Sequence, residues 1–139
     1  MDVLYCQNGI DGIFKKEHAD GTVEYIIMDS KTKVNGIQPE KCNSGSKAGL
    51  CNTVNNGYQL SNEWILSHIG NSGLSLEDED NIREALANPS NSQIKVTRYV
   101  ARVSKNKVAY HEVTPVGDKD IGAVGGSPEI TYNHTLKKW

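Results

Sequence analysis

The chain has 139 residues, enough for one domain with a hydrophobic core of its own. Its composition, 37% hydrophobic and 23% charged, is typical of globular proteins, and no apolar run is long enough to span a bilayer. A net charge of −2 excludes a general attraction to polyanions, so local lysine and arginine side chains or a metal ion must hold any nucleic-acid partner. We therefore expect a single domain over residues 1–139, no part of which inserts into a membrane.

A β-hairpin is predicted at the start of the chain. Residues 10–16 and 23–31 are rich in β-formers, and the Asp-Gly pair between them is a common hairpin turn. If the turn is centred near Asp20, the numbers of paired residues add up to about 40. The run "YIIM" before Asp29 does not alternate, as expected of a strand that is buried on both faces. We expect this hairpin to begin the mixed central sheet of an α/β domain.

The same pairing predicts a metal site at the far end of the hairpin. It sets Asp11 opposite Asp29, with Lys31 on the same face as Asp29 because side chains alternate along a strand. Two carboxylates directly opposite each other destabilise a sheet, whereas a divalent cation between them would be coordinated by both. Lys31 could then hold a phosphate or orient a water. Two alternatives stay open: solvated strand ends, and a register shifted by one residue, which would separate the carboxylates.

Residues 33–58 are predicted to form a loop, because they contain the turn-forming stretches NSGSKAG and NTVNNG. The loop is either a plain connection or a substrate-facing segment whose Lys41 and Lys47 lie near phosphates. The three cysteines of the chain have no CxxC spacing, which argues against a zinc ribbon. Unpaired thiols are expected, with a bridge between Cys42 and Cys51 as the alternative.

Two helices are predicted in the middle of the chain. The first covers about 61–69, begins at a serine cap and turns Trp64 toward the core. The second covers about 75–88, with Ser75 as its N-cap and Asp78 at the capping-box position. The four acidic residues in the first turn of the second helix are expected to be solvated, since acids favour helix N-termini through the helix dipole.

A second hairpin is predicted in the last third, from QIKVTRYVARVS and KVAYHEVT, followed by a short terminal strand. Arg98 and Arg102 share one face of its first strand, and with Lys105 they belong to the most basic part of the chain. That face would suit successive phosphates of a nucleic acid, or would simply be a soluble sheet face. His111 in mid-strand and His134 near the C-terminus would suit RNA cleavage without a metal.

The order of these motifs resembles a known family. "GID" at 9–11, a hairpin, and "DSK" at 29–31 resemble the PD-(D/E)XK nuclease core. Together with the downstream segment GLCNTVNNGYQLSNEWI, the pattern is similar to the C-terminal nuclease domains of bacterial polymorphic toxins, of the contact-dependent growth inhibition and Rhs types. The downstream positions that match are Thr53, Gly57, Gln59, Leu60 in place of Met, Ser61, Trp64 and Ile65.

The resemblance implies a PD-(D/E)XK restriction-endonuclease-like fold, with a mixed sheet flanked by helices, and the activity of a metal-dependent endonuclease. Asp11 and Asp29 would hold Mg²⁺ or Mn²⁺, with Zn²⁺ as a further option, and Lys31 and Gln59 would complete the catalytic set. The sequence departs from the family pattern at two points. Asp29 stands where many relatives have Glu, and Asp2 is the only acidic residue that precedes the first motif.

The same resemblance implies a toxin. The domain would be the tail of a larger secreted effector and would act in the cytoplasm of a competing bacterium, on DNA or, with slightly less support, on tRNA. A cognate immunity protein would neutralise it. The face with Arg98, Arg102 and Lys105, or the 33–58 loop, is the expected docking surface, because an acidic partner there would block the substrate path. Two other classes stay open: a metal-independent RNase toxin that uses the two histidines, and a non-catalytic binding protein of phage or plasmid origin.

Overall fold

A mixed six-stranded sheet with two helices packed on one face forms the centre of the molecule. The computed structural model describes residues 2–5, 12–32, 42, 44–47, 49–104, 107–122 and 130–131. Within them the helices are α1 (Asn62–Ile69) and α2 (Leu76–Ala87). The strands, in chain order, are β1 (Asp2–Tyr5), β2 (Gly12–Glu17), β3 (Val23–Thr32), β4 (Ser46–Lys47), β5 (Leu50–Thr53), β6 (Gly57–Tyr58), β7 (Ile94–Ser104), β8 (Lys107–Glu112) and β9 (Ile130–Thr131). The fold is α+β, which confirms the predicted class at this coarse level.

The hairpin of β2 and β3 has the predicted register. Ile13 pairs with Ile27, and the numbers of every other pair in this hairpin likewise add up to 40. Gly21 in the turn has a φ of +90°, a conformation that glycine adopts without strain. Asp11 lies outside the described residues, so its pairing with an aspartate of β3 stays a prediction.

The parallel pairing of β3 with β7 lies at the centre of the sheet. The two strands pair over ten residues, from Val23 with Ile94 to Thr32 with Val103, whereas the other neighbours in the order β1-β2-β3-β7-β8-β9 are antiparallel. Parallel strands cannot be joined by a tight turn, so the chain between them crosses over the sheet. This crossover contains β4, β5, β6 and both helices.

The main hydrophobic core lies between the crossover and the sheet face that carries Ile27 and Val100. Trp64 and Ile65 of α1 and Ile82 of α2 are buried against this face. Trp64 is 2% exposed, which confirms its predicted core position. A smaller apolar cluster on the opposite face of the sheet is formed by Met28, Ala101 and Tyr110.

Part of the stretch that was expected to be a loop has regular structure. β4, β5 and β6 form a small three-stranded sheet, and a disulfide bond joins Cys42 to Cys51 of β5. The expectation of unpaired thiols is therefore wrong for these two cysteines, whereas Cys6 lies outside the described residues. Strands of two to four residues are too short to leave a periodic pattern, and for this reason the sequence showed only turn signals here.

Both helices begin at the predicted caps. The Ser61 hydroxyl accepts a hydrogen bond from the Trp64 N–H, and the Ser75 hydroxyl accepts one from the Asp78 N–H. Each cap satisfies one of the N–H groups that have no partner within the helix. Within the described residues, neither helix is long and apolar enough to cross a membrane.

The remaining strands complete the two edges of the sheet. β7 and β8 form the predicted second hairpin, and β9 pairs with β8 as the predicted terminal strand. β1 pairs with β2 along the opposite edge. This strand was not predicted, because four residues are too few for a recognisable alternation.

Asp78 differs from the solvated acid that was expected in the first turn of α2. Its Oδ1 accepts a hydrogen bond from the Tyr25 hydroxyl at 2.6 Å and lies 3.1 Å from Lys15 Nζ, while its Oδ2 accepts one from the Ser75 hydroxyl at 3.0 Å. Burial alone would raise the pKa of Asp78, but these hydrogen bonds prevail and lower the pKa below its usual value. The network ties the first turn of α2 to β2 and β3.

Replacing Asp78 with Asn should lower the free energy of unfolding by about 1–3 kcal/mol near neutral pH, because Lys15 and Tyr25 lose a charged acceptor. Folding lowers the pKa of this carboxyl, so it stabilises the protein above its unfolded-state value of 3.8, and the stabilisation is lost as the pH falls through the folded-state pKa. The difference between wild type and variant should therefore shrink at about pH 3. Urea denaturation near neutral pH and at about pH 3 measures this difference in the free energy of unfolding.

The matched control for this measurement is Asp80→Asn. Asp80 is an exposed acidic residue of the same helix, so its replacement should change stability little at either pH. Equal losses in the two variants would contradict the role assigned to the Asp78 network.

Candidate functional site

Asp29 and Lys31 meet near the carboxyl end of β3. They are two residues apart, so strand alternation puts both side chains on the face that carries the crossover. Lys31 Nζ lies 3.1 Å from Asp29 Oδ2. The Asp29 side chain is 4% exposed and that of Lys31 is 25% exposed, so the carboxylate is sheltered while the ammonium group reaches solvent. The contact holds the lysine in a fixed position at this end of the sheet.

Gln59 joins this pair from the crossover. Its Oε1 accepts hydrogen bonds from Lys31 Nζ and from the Cys51 N–H, both at 2.9 Å. The Gln59 N–H in turn donates to the Cys51 carbonyl oxygen at 2.8 Å. The backbone of β5 therefore fixes the side-chain amide with its oxygen toward the lysine. Of the four residues predicted to be catalytic, Asp29, Lys31 and Gln59 come together, and Asp11 lies outside the described residues.

Two unusual backbone conformations bring Gln59 to this position. Gly57 has a φ of +75°, and a Cβ on it would lie 2.3 Å from the carbonyl oxygen of Lys119. Leu60 has a φ of +70°, a left-handed conformation that costs a non-glycine residue about 1–2 kcal/mol. Complete burial of the Leu60 side chain offsets this strain. The turn between β6 and α1 is therefore determined by packing rather than by local preference.

Arg102 extends the cationic end of the site. It is the register partner of Lys31 in the parallel pair of β3 and β7, and partners in adjacent strands point to the same face. Arg102 is exposed. Two cations side by side at one end of the sheet suit an anionic group such as a phosphodiester. Lys105, the third residue predicted to bind nucleic acid, lies outside the described residues.

Arg98 is buried, in contrast to the exposed basic face on which it was expected. Only 5% of the residue is exposed, and its Nη2 donates to Asn62 Oδ1 of α1. Burial lowers the pKa of Arg98 to about 10, so the guanidinium stays charged at neutral pH. Arg98 and Arg102 do share a face of β7, but the crossover covers only the first of them. A contact between Arg98 and a nucleic-acid phosphate stays a prediction.

His111 lies in mid-strand, as predicted, and is 7% exposed. In β8 it pairs with Val100 of β7, and Val100 pairs with Asp29 of β3. The three residues form one row across the sheet, so His111 is separated from Asp29 by an intervening strand. His134, its expected partner in metal-independent RNA cleavage, lies outside the described residues.

Asp29 is suited to hold a divalent cation only with further ligands. In the part of the chain that the structure describes, no group of three His, Cys, Asp or Glu side chains is arranged to bind a metal ion. Mg²⁺, however, often binds through one or two carboxylates, with water and substrate phosphate as the other ligands. Asp29 supplies one such carboxylate, and Asp11 was predicted to supply the other. The donor set is therefore compatible with a metal that binds together with a phosphate substrate.

Comparisons with protein-family models, with curated proteins and with solved structures find no match to the chain. The case for a function depends on the geometry around Lys31 and on the motifs that carry the family resemblance.

Sequence reasoning missed two features of the site. Cys51 was considered only as a thiol or a bridge, although its backbone N–H fixes Gln59. The proximity of Arg102 to Lys31 was also missed, because it requires β3 and β7 to be parallel neighbours with a known register. The first feature depends on the pairing of the short strands β5 and β6, which leave no periodic pattern, and the second depends on a contact between strands far apart in the chain.

Replacing Gly57 with Ala should lower the free energy of unfolding by about 2–4 kcal/mol. The new methyl group meets the backbone of Lys119, which cannot yield as a side chain can, and it also makes the positive φ unfavourable. Urea denaturation measures the loss.

Gly73→Ala separates the two causes. Gly73 has a φ of +80°, and no atom of the described residues lies within 4 Å of the place that a Cβ would take, so the substitution introduces the φ penalty alone. We expect a loss of about 1 kcal/mol there. Losses of equal size at both glycines would show that the contact with Lys119 contributes nothing.

Proposed function

We propose that the chain is a metal-dependent nuclease that hydrolyses phosphodiester bonds. The observation that carries the proposal is that Lys31 contacts both Asp29, its neighbour in β3, and Gln59, which lies 28 residues further along the chain. The motif resemblance singles out the same three residues. Two of them are a carboxylate and an ammonium group in direct contact at the end of a central strand. This is the combination that phosphodiester hydrolysis requires: a ligand for a cation and a fixed positive charge for the phosphate.

Lys31 has the central role in the proposed site. Its ammonium group has three hydrogens; Gln59 Oε1 accepts a hydrogen bond from it, and Asp29 Oδ2 lies 3.1 Å away as its ion-pair partner, so within the described residues the ammonium can still donate to a phosphate oxygen. Because Asp29 lies in β3 and the Gln59 amide is held by the backbone of β5, the ammonium is already in position before the substrate arrives. A preorganised charge of this kind stabilises the negative charge that develops on the phosphate in the transition state.

Asp29 has two roles in the proposal. It orients Lys31, and it is the carboxylate that would hold Mg²⁺ or Mn²⁺, with Asp11 as the predicted second ligand. The bound cation would supply an activated water and neutralise charge on the scissile phosphate. Arg102 would bind a neighbouring phosphate of the same strand, since it lies beside Lys31 on the adjacent strand.

The substrate and the biological setting follow from the family resemblance. We propose a toxin domain of a larger secreted effector that cleaves DNA, or alternatively tRNA, in competing bacteria and is neutralised by a cognate immunity protein. DNA is favoured slightly, because the proposed chemistry needs no 2′-hydroxyl. A partner that covers Lys31 and Arg102 would block the site directly, and acidic side chains would give it rapid association.

Lys31→Ala and Asp29→Ala should each lower the rate of nucleic-acid cleavage by about 10²–10³-fold or more, because each removes a charge that acts on the phosphate or on the cation. The assay incubates the purified chain with plasmid DNA and with total RNA, with Mg²⁺ or Mn²⁺ and with EDTA. Circular dichroism confirms that the variants are folded.

Lys16→Ala is the matched control, since Lys16 is an exposed lysine of β2 outside the site, and it should cleave like the wild type. Full activity of a folded Lys31 variant would refute the assignment. Cleavage that persists in EDTA would favour the metal-independent RNase. An unmodified chain that cuts neither substrate with any of the metals would favour a binding protein.

Gln59→Leu should lower kcat by about 10–100-fold with a smaller change in KM, because the lysine loses the acceptor that positions it. Gln59→Glu retains an acceptor for Lys31 and should recover most of kcat, but its negative charge near the phosphate should raise KM. Steady-state kinetics on a short fluorescent substrate measures both constants. Equal losses of kcat in the two variants would contradict a positioning role for Gln59.

A further inference from the structure

The guanidinium of Arg98 is a buried charge without a counter-ion in the described part of the chain. Arg98 is 5% exposed, and none of the ion pairs among the described residues includes it. Its Nη2 donates to Asn62 Oδ1, but its Nε is buried and meets no acceptor within these residues. Buried charges are normally paired, because an unpaired one loses its hydration without compensation.

A cavity of about 250 Å³ adjoins this guanidinium, between the end of α2 and β7. Its polar lining residues are Asn62, Arg98, Lys95 and Thr97. Alternation along β7 turns the side chains of Lys95 and Thr97 to the opposite face of the sheet, where both line a separate cavity, so Arg98 is the cation that faces this one. Its apolar walls come from Ala85, Leu86, Pro89, Ile94, Val96 and Pro115. Neither Lys31 nor Gln59 lines the cavity, so it is separate from the site proposed for phosphodiester hydrolysis.

The charge of Arg98 persists at neutral pH. Burial lowers the pKa of Arg98, but only to about 10, so the side chain remains a cation in a largely apolar setting. An anion bound in the cavity would neutralise this unpaired positive charge. The Asn62 amide can assist, because its Oδ1 already accepts from Arg98 and its nitrogen can donate to the same ligand.

We propose that this cavity binds a small monocarboxylate with a compact apolar body. One guanidinium balances one negative charge, so a monoanion fits the site, whereas a phosphate dianion would leave a net negative charge among apolar walls. The planar carboxylate also matches the planar guanidinium fork. The six apolar wall residues would cover a short branched hydrocarbon body and exclude water from the ion pair. The proposal concerns a second ligand and is independent of the nuclease activity.

Isovalerate is the probe, titrated against the intact chain by thermal shift and by NMR at constant ionic strength. We expect saturable binding that raises Tm, with little effect from isovaleramide, which has the same shape and no charge. Inorganic phosphate at the same concentration should bind at least about tenfold more weakly. Equal binding of the amide would overturn the requirement for an anion, and equal binding of phosphate would overturn the carboxylate assignment.

Arg98→Met should weaken isovalerate binding by at least about tenfold, because a hydrogen-bonded ion pair is lost. Arg83→Met is the matched control: it removes an exposed guanidinium of α2 that lies outside the cavity, and it should bind isovalerate like the wild type. If Arg98→Met does not fold, Leu86→Phe is the variant to test. The larger side chain fills the cavity from a partly exposed wall and leaves Arg98 in place, so it should weaken isovalerate binding. Unchanged binding in the folded variant that is tested, or no saturable binding by the wild type, would overturn the proposal.

Discussion

The parallel pairing of β3 with β7 is the constraint on which the rest of the molecule depends. Because a parallel pair needs a crossover, two helices and a small sheet must pass over one face of the main sheet. The same pairing sets the carboxyl ends of the two strands side by side, which is where ligands commonly bind in sheets of parallel strands. Lys31 and Arg102 are neighbours for this reason, and the crossover that the pairing requires is also the segment that delivers Gln59.

Polar contacts, rather than apolar burial alone, fix the crossover on the sheet. The carboxylate of Asp78 fastens α2 to Tyr25 and Lys15 of the sheet. The segment that follows β8 holds the other end of the crossover, because the Lys119 carbonyl oxygen accepts the Tyr58 N–H at 3.0 Å, next to the close approach at Gly57. Each of these contacts requires a defined direction between donor and acceptor. Together they prevent the crossover from shifting along its neighbours, which an apolar interface would tolerate. The precision required to hold a side-chain amide against a lysine is therefore distributed over several distant contacts.

Local sequence patterns predicted the features that depend on local geometry. They did not predict features that are determined by contacts outside the local pattern. The hairpin register followed from a turn dipeptide and a period of two, and the serine caps followed from residues within one helical turn. The burial of Arg98 and of Asp78 could not be read in this way, because the segments that cover them lie far away in sequence. The disulfide bond joins cysteines only nine residues apart, but the turn signals around them do not distinguish a bridge from free thiols. For the candidate site, the residue types were predictable, but their mutual contacts were not.

The long separation between β3 and β7 has a kinetic consequence. Val23 of β3 pairs with Ile94, so no part of the central ladder can form until most of the chain has been synthesised. Until then, the early hairpin of β2 and β3 leaves one edge of β3, with its run of apolar residues, without its native partner strand. Folding should consequently be slow compared with that of a helical domain of this size, and the nascent chain passes through a stage in which it is prone to aggregate. Arg102, which lies beside Lys31, belongs to β7, so a partly synthesised chain has no completed site.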